Sequence, residues 1–510
     1  MPKQRYLMGV DIGTSACKVA VFSADGHVIA AQSEEYPVYY PQPGWAEQNP
    51  EDWWDAVCLA VRKLLSHSNI AASEIAGIGV DGQSWSAVAM DDAGNVLTNT
   101  PIWMDTRTSD ICSRLNEKIG ADRIFELCGN MLQPSYATAK ILWYQEAMPE
   151  IYQKIHKVLS SNGFIAYRLT DAITLDISQA YGFHCFDMKK GCWDPAMCEA
   201  LGIPGHFLPD IVPCHQVIGT ITPKAAALTG LIPGIPVVAG GLDAACGTLG
   251  AGVIHPGETQ EQGGQAGGMS ICLDEYLADP RLILGYHVIP GHWLLQGGTT
   301  GGGGAMRWLE KEFADFERSI SSKNGKSSLQ QLNEIAEPIS PGCDGLIFLP
   351  YMAGERSPIW DADAKGVFYG LDFNKTKGHF VRAVMEGVAF SLEHNLQVAE
   401  HVGATIRQLN AVGGAANSAL WTQIKSDVTG KPIAVPLSDH ATTLGAALLA
   451  GVGTGMNHSF EQAVAQTVQI TRCYHPNPEN HRHYLQCFQT YLELSERLRG
   501  LNRFEKTPDI

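Results

Sequence analysis

Several things are missing from this 510-residue chain. It has no excess of positive charge: 36 Lys and Arg stand against 53 Asp and Glu, for a formal net charge of −17. A nucleic-acid partner, which needs a basic face for its phosphates, is therefore not expected. A small anionic ligand stays open, because backbone amides bind phosphate in acidic proteins too. The cysteines, 13 in all, include no Cys-x-x-Cys pair. Scattered and odd in number, they read as reduced cytosolic thiols, not as a disulfide framework or a zinc site. Cys192, Cys198 and His184 come nearest to a metal cluster, but their spacing fits no zinc template. Long apolar runs are also absent. The run ahead of Asp11 is too short for a signal-peptide core, and the richest stretch, 441–452, is broken by glycine and threonine. Neither a membrane span nor a membrane partner is expected, and the cytoplasm is the expected location. Disorder is excluded by a 45% apolar content with 16 Phe, 16 Tyr and 11 Trp. The length suits two to four domains.

What is present begins at the N-terminus. Tyr6–Val10 reads as a strand, followed by the small polar turn Asp11-Ile12-Gly13-Thr14-Ser15-Ala16, a second strand over Lys18–Phe22, an Asp25-Gly26 hairpin and a third strand over Val28–Ala31. Asn49 and Pro50 suit the N-cap and first position of a helix carrying Trp53, Val57, Val61 and Leu64 at helical spacing. Ile75–Val80 reads as a buried strand running into Asp81-Gly82-Gln83-Ser84-Trp85-Ser86, and Ile235–Ala239 as another running into Gly240-Gly241-Leu242-Asp243. Strands alternating with helices predict mixed α/β architecture. From Thr259 to Cys272, two strands flank Gly263-Gly264-Gln265-Ala266-Gly267-Gly268, echoing the N-terminal hairpin and suggesting two related halves.

Further glycine clusters, Gly297–Gly304 and Gly413-Gly414-Ala415-Ala416-Asn417, precede helical stretches. Glycine turns at strand–helix junctions suit a phosphate ligand such as a nucleotide, or simply tight packing of strand on helix. The Walker pattern is absent, and the G-x-G-x-x-G at Gly77–Gly82 overlaps a strand instead of opening a helix, so neither a P-loop nor a Rossmann site is expected. Asp11 at a strand end suits Mg²⁺ beside a phosphate, or a turn aspartate. Asp243 suits a general base for an alcohol, or a helix cap. Lys18 suits a phosphate contact, or an ordinary strand surface.

Taken together, these residues resemble the FGGY family of carbohydrate kinases of the hexokinase–actin superfamily, and within it the xylulokinase branch most. The resemblance rests on Asp11-Ile-Gly-Thr-Ser-Ala-Cys-Lys18, Gly240–Asp243, Gly354-Glu-Arg-Ser-Pro358 through Leu371, His379–Glu386 and Gly413–Ala415, with a partial match at Ser135–Trp143 around Lys140. Their order and spacing span nearly the whole chain. The resemblance implies an α/β fold of two ribonuclease-H-like (actin/hexokinase-type) domains with mixed sheets flanked by helices and a cleft between them, residues 1–248 mainly for sugar and 249–510 mainly for nucleotide. It implies ATP and Mg²⁺ as cofactors and a small sugar as partner, and a homodimer, common in the family, is the oligomer it suggests. Asp243 would be the base and Asp11 the metal-side carboxylate, the two facing each other across a shared crevice. Thr14, Ser15 and Lys18 would lie near the transferring phosphate. Gly264, Gln265, Gly302 and Gly303 would line the nucleotide, with Gly414 and Asn417 beside adenosine. Ser84, Trp85, Trp103, Asp105 and Arg107, with Asp243, would read the sugar.

Three departures stand out. Ser84-Trp85-Ser86 replaces Met-His-Gly, Ala244 replaces an asparagine, and Gln265 replaces a hydroxyl residue. They leave the substrate open between D-xylulose, another ketose, a polyol and an autoinducer-type dihydroxy-ketone. They also leave open a nucleotide-binding sensor without phosphotransfer; an actin-like polymerising ATPase is the remaining alternative.

Overall fold

The structure, a computed structural model, describes residues 5–437 and 440–501. Its first sheet has seven strands. A meander of β1 (Tyr6–Ile12), β2 (Ala16–Ser23) and β3 (Val28–Glu35) opens it. Helix α1 (Pro50–His67) follows, and the Asn49 side chain accepts from the Glu51 amide as foreseen. Trp53, Val57, Val61 and Leu64 are all buried, each contributing roughly 1.5–3 kcal/mol relative to exposure. Strand β4 (Ile75–Gly82) then pairs parallel to β1. After a helical insertion come β5 (Val217–Thr220), β6 (Pro236–Val238) and β7 (Gly241–Leu242), giving the order β5-β6-β4-β1-β2-β3 with β7 also on β4. Helix α2 (Asp243–Gly250) leaves this sheet with Asp243 as its first residue.

The second sheet repeats the plan. An antiparallel set, β8 (Glu258–Gly263), β9 (Gly267–Leu273), β10 (Ile283–Tyr286) and β11 (Trp293–Thr299), leads into α3 (Gly302–Phe313) and the long α4 (Lys377–His401). Strand β12 (Gln408–Val412), α5 (Ala419–Thr429) and β13 (Ile433–Pro436) follow, with β12 parallel to both β8 and β13. Helix α6 (Ala441–Gly453) and strand β14 (Ile470–Tyr474) complete the order β10-β11-β9-β8-β12-β13-β14. The echo of glycine turns in the sequence thus reflects two sheets of related topology, each a meander continued by parallel strands.

Helix α6 has no charged residue. It follows a strand of the second sheet yet packs on β1 and β4 of the first, and crosses α2. The crossing is as close as backbones allow: a side chain on Gly445 would overlap the Cys246 carbonyl, and one on Gly9 would overlap that of Thr443. We expect Gly445→Val to cost about 3 kcal/mol by overpacking against backbone that cannot move aside, seen as a lower urea midpoint.

Candidate functional site

Strands β1, β4 and β7 run parallel and end side by side. Asp11 pairs in register with Asp81, and Asp81 with Gly241, two residues before Asp243. One edge of one sheet therefore brings Asp11, Asp81 and Asp243 together. Asp11 and Asp243 do share a site, but both rise from the first sheet instead of facing each other across a crevice. Asp81 was not singled out in the sequence, although it ends β4 at the position where Asp11 ends β1.

Asp11 is 6% exposed, and the Lys18 ammonium stands 3.8 Å from its Oδ2. Burial raises the Asp11 carboxyl against the pull of Lys18. Asp81 is fully buried beside Asp11 on the neighbouring strand, and neither of its oxygens has a hydrogen-bond partner among the described residues. Burial, and then the charges of Asp11 and Asp243, push its carboxyl up. Asp243 is half-buried; burial first and the Asp11 charge second raise it to about 7. Its Oδ1 accepts from the Ala244 amide at 2.7 Å, which leaves Oδ2 free. A half-buried carboxylate that titrates near neutrality suits proton transfer.

The Gly13–Ser15 turn is tied down from three sides. The Tyr36 hydroxyl donates to the Gly13 carbonyl at 2.5 Å, the Gln48 amide to the Thr14 carbonyl at 2.8 Å, and the Trp103 indole N–H to Thr14 Oγ1 at 3.0 Å. Ser15 is exposed, and the Lys18 side chain is 59% exposed.

Beside this turn lies an aromatic wall. Trp85 sits at φ +52°, a strained conformation for a tryptophan. Gln179 accepts from its amide at 3.2 Å, and the buried Lys140 ammonium donates to its carbonyl at 2.9 Å and to that of Ser135 at 2.7 Å. Burial lowers Lys140 to about 7. The Trp85 ring packs on Tyr136 at 4.1 Å and Tyr181 at 5.5 Å and is only 6% exposed. An open indole face for a sugar is therefore not what Trp85 offers; Ser84, half-buried, keeps more free surface. Arg356 reaches in from the second half of the chain, its guanidinium 5.7 Å from the Trp103 ring and within electrostatic reach of Tyr136 and Tyr181. Tyr136, Tyr181 and Arg356 were not among the expected site residues; the signal for Arg356 was its place in the Gly354–Pro358 stretch.

Asp105 and Arg107 depart from expectation. Both side chains are 1% exposed and pair with each other, and Arg107 also binds Glu47 at 2.8 Å. The guanidinium lies 3.8 Å from the Trp45 ring centre and 4.6 Å from that of Trp143. Neither residue has surface to offer a sugar; they brace the loop that carries Trp103.

On the second sheet, three glycine clusters converge. Gly303 and Gly304 donate to the Gly264 and Gln265 carbonyls, each at 2.8 Å. A side chain at Gly302 or Gly303 would strike the 264–266 turn, and one at Gly413 would crowd Gly263. These amides are therefore not all free for phosphate; close packing, the other reading the sequence allowed, accounts for much of the glycine. Arg307 donates to Gln265 Oε1, its Nε at 3.0 Å, and so brings a guanidinium to the turn. Gly414 faces open space and Asn417 is exposed.

His184 is buried against Thr138 and the Met131 carbonyl, and among the described residues no group of three or more His, Cys, Asp or Glu is placed to hold a metal. An all-oxygen pair with an undonated carboxylate nonetheless suits Mg²⁺, which takes one or two carboxylates and completes its shell with water and phosphate. No helix among the described residues is long and apolar enough to cross a membrane.

Comparison with known proteins agrees with this geometry. Residues 6–250 match the N-terminal domain of the FGGY family of carbohydrate kinases, and residues 272–454 its C-terminal domain. The chain is 31% identical over 500 residues to a xylulose kinase of Bacillus subtilis, covering 98% of each. It is 30% identical to a gluconokinase of Bacillus licheniformis, covering 97% of this chain and 96% of that one. The crystal structure of xylulose kinase from Rhodospirillum rubrum superposes with a TM-score of 0.88 at 29% identity, over 98% of this chain and all of that one. With two related sheets, three strand-end carboxylates and matches over most of its length, the chain belongs to the FGGY family of carbohydrate kinases.

Proposed function

We propose that this enzyme transfers the terminal phosphate of ATP to a hydroxyl of a small sugar, with D-xylulose the first candidate and Mg²⁺ as the metal. The observation that carries the reading is Asp243: half-buried, raised to about 7, and one strand away from a second acidic strand end. A sugar hydroxyl is too weak an acid to ionise unaided at neutral pH, and Asp243 Oδ2 accepts its proton as the new bond to phosphorus forms. Asp11 would hold the metal, which supplies charge neutralisation at the phosphates. Thr14, Ser15 and Lys18 border the transferring group. Residues 249–510 carry the nucleotide, with Gly264, Gln265, Gly302 and Gly303 along its phosphates and Gly414 and Asn417 beside adenosine. Arg307, presented by Gln265, makes up for the missing hydroxyl. Thirteen unpaired thiols support a cytoplasmic location.

A second reading is favoured by Arg356. Glu355, its neighbour, already accepts from Thr299 Oγ1 at 2.7 Å, the Thr300 amide at 3.0 Å and the Arg356 amide at 2.7 Å. The Arg356 guanidinium has no carboxylate partner among the described residues and faces the aromatic wall. An aldonic acid such as gluconate would supply that partner. ADP release over D-xylulose, D-gluconate, polyols and dihydroxy-ketones separates the readings: a neutral ketose as best substrate supports the first and an aldonate the second. No turnover on any of them, from folded protein that binds ATP, overturns both.

A further inference from the structure

Asp81 is used by none of the steps above. It is fully buried, yet neither carboxylate oxygen has a donor. Buried carboxylates elsewhere in this protein are served. Asp105 takes the Ala46 amide and Arg107, and Asp176 takes Asn162, Ser178 and the Gln179 amide. Asp81 instead abuts another carboxylate, Asp11, in strand register. Among the described residues, Lys18 is the cation that acts on both, and it is mostly exposed and nearer Asp11. With all three carboxyls ionised, Asp11, Asp81, Asp243 and the Lys18 ammonium carry a formal charge of −2, which one divalent ion would balance. An acid with no donor, aimed at the metal-side carboxylate, is costly unless a cation joins them.

We propose that Asp81 is a second protein carboxylate at the divalent cation, sharing it with Asp11, so that the metal binds this enzyme before the nucleotide arrives. The proposal rests on the reading that Asp11 is the metal-side residue. Two carboxylates with waters make a site for Mg²⁺ or Mn²⁺ alone, and nucleotide phosphates then displace water from it.

The test titrates nucleotide-free protein with Mn²⁺, reading free Mn²⁺ by electron paramagnetic resonance. One site on the wild type, weakened at least tenfold by both Asp81→Asn and Asp81→Ser and also by Asp11→Asn, is the expected result. Two variants of different size guard against a folding defect, checked by circular dichroism. Unchanged Mn²⁺ affinity in the folded Asp81 variants, with loss only in Asp11→Asn, overturns the proposal and leaves the kinase reading intact; the two carboxyls then share a proton instead. No Mn²⁺ binding by the wild type without nucleotide also overturns it. Mn²⁺ binding that follows the expected pattern in an enzyme inert on every sugar supports the site and sinks the kinase reading alone.

Discussion

Asp243→Asn should lower kcat by about 10²–10⁴, the usual worth of a positioned general base, while leaving ATP affinity near wild type. The wild-type pH profile has a fixed sign. The base works deprotonated and burial raises it to about 7, so kcat/KM should climb from pH 5 and level off above about 7. The same shift bears on stability. Between the ordinary carboxylate value near 4 and the folded value near 7, the folded state holds the extra proton. The contribution of Asp243 is therefore most favourable below pH 4 and is lost as pH rises to 7. Asp243→Asn removes that loss, so the ligand-free variant should be more stable than wild type at pH 8, by about 2–4 kcal/mol, and no more stable at pH 4. Melting curves at the two pH values check this. An inactive variant that is also less stable at pH 8 would mean Asp243 is a structural cap.

The second large effect is expected at Arg107. Its guanidinium is enclosed by Trp45 and Trp143 and neutralises the buried Asp105 and the half-buried Glu47. Arg107→Leu leaves two acids uncompensated and should cost about 3–5 kcal/mol. Arg107→Lys should not rescue it, because an ammonium neither lies flat over the Trp45 ring nor serves both carboxylates with a planar fork. Urea midpoints measure both. A lysine variant as stable as wild type would show that charge alone matters there. Each variant should also raise KM for the sugar, since the loop they loosen carries Trp103 and its bond to Thr14.

Local chemistry was the legible part of this sequence. The Asn49-Pro50 cap, the buried stripe of α1 and the opening meander follow from residue type and spacing within a few positions. The three strand-end acids were two-thirds legible: Asp11 and Asp243 belong to recognisable motifs, whereas Asp81 becomes visible only when β1 and β4 are laid in register. Asp105 and Arg107 misled because a charged pair beside a motif looks the same in sequence whether it faces a ligand or two tryptophans. The glycine runs left close packing and anion binding open together, because glycine serves both through one property, the lack of a side chain. The destination of α6 was out of reach: an uncharged helix advertises burial but not against which sheet.

That destination orders events during synthesis. The amino-terminal sheet is covered by a segment that leaves the ribosome almost 200 residues after the last strand of that sheet. The first half of the molecule therefore cannot mature while the rest is still being made, and a fragment ending near residue 250 should be born with a greasy flank that invites chaperones or clumping.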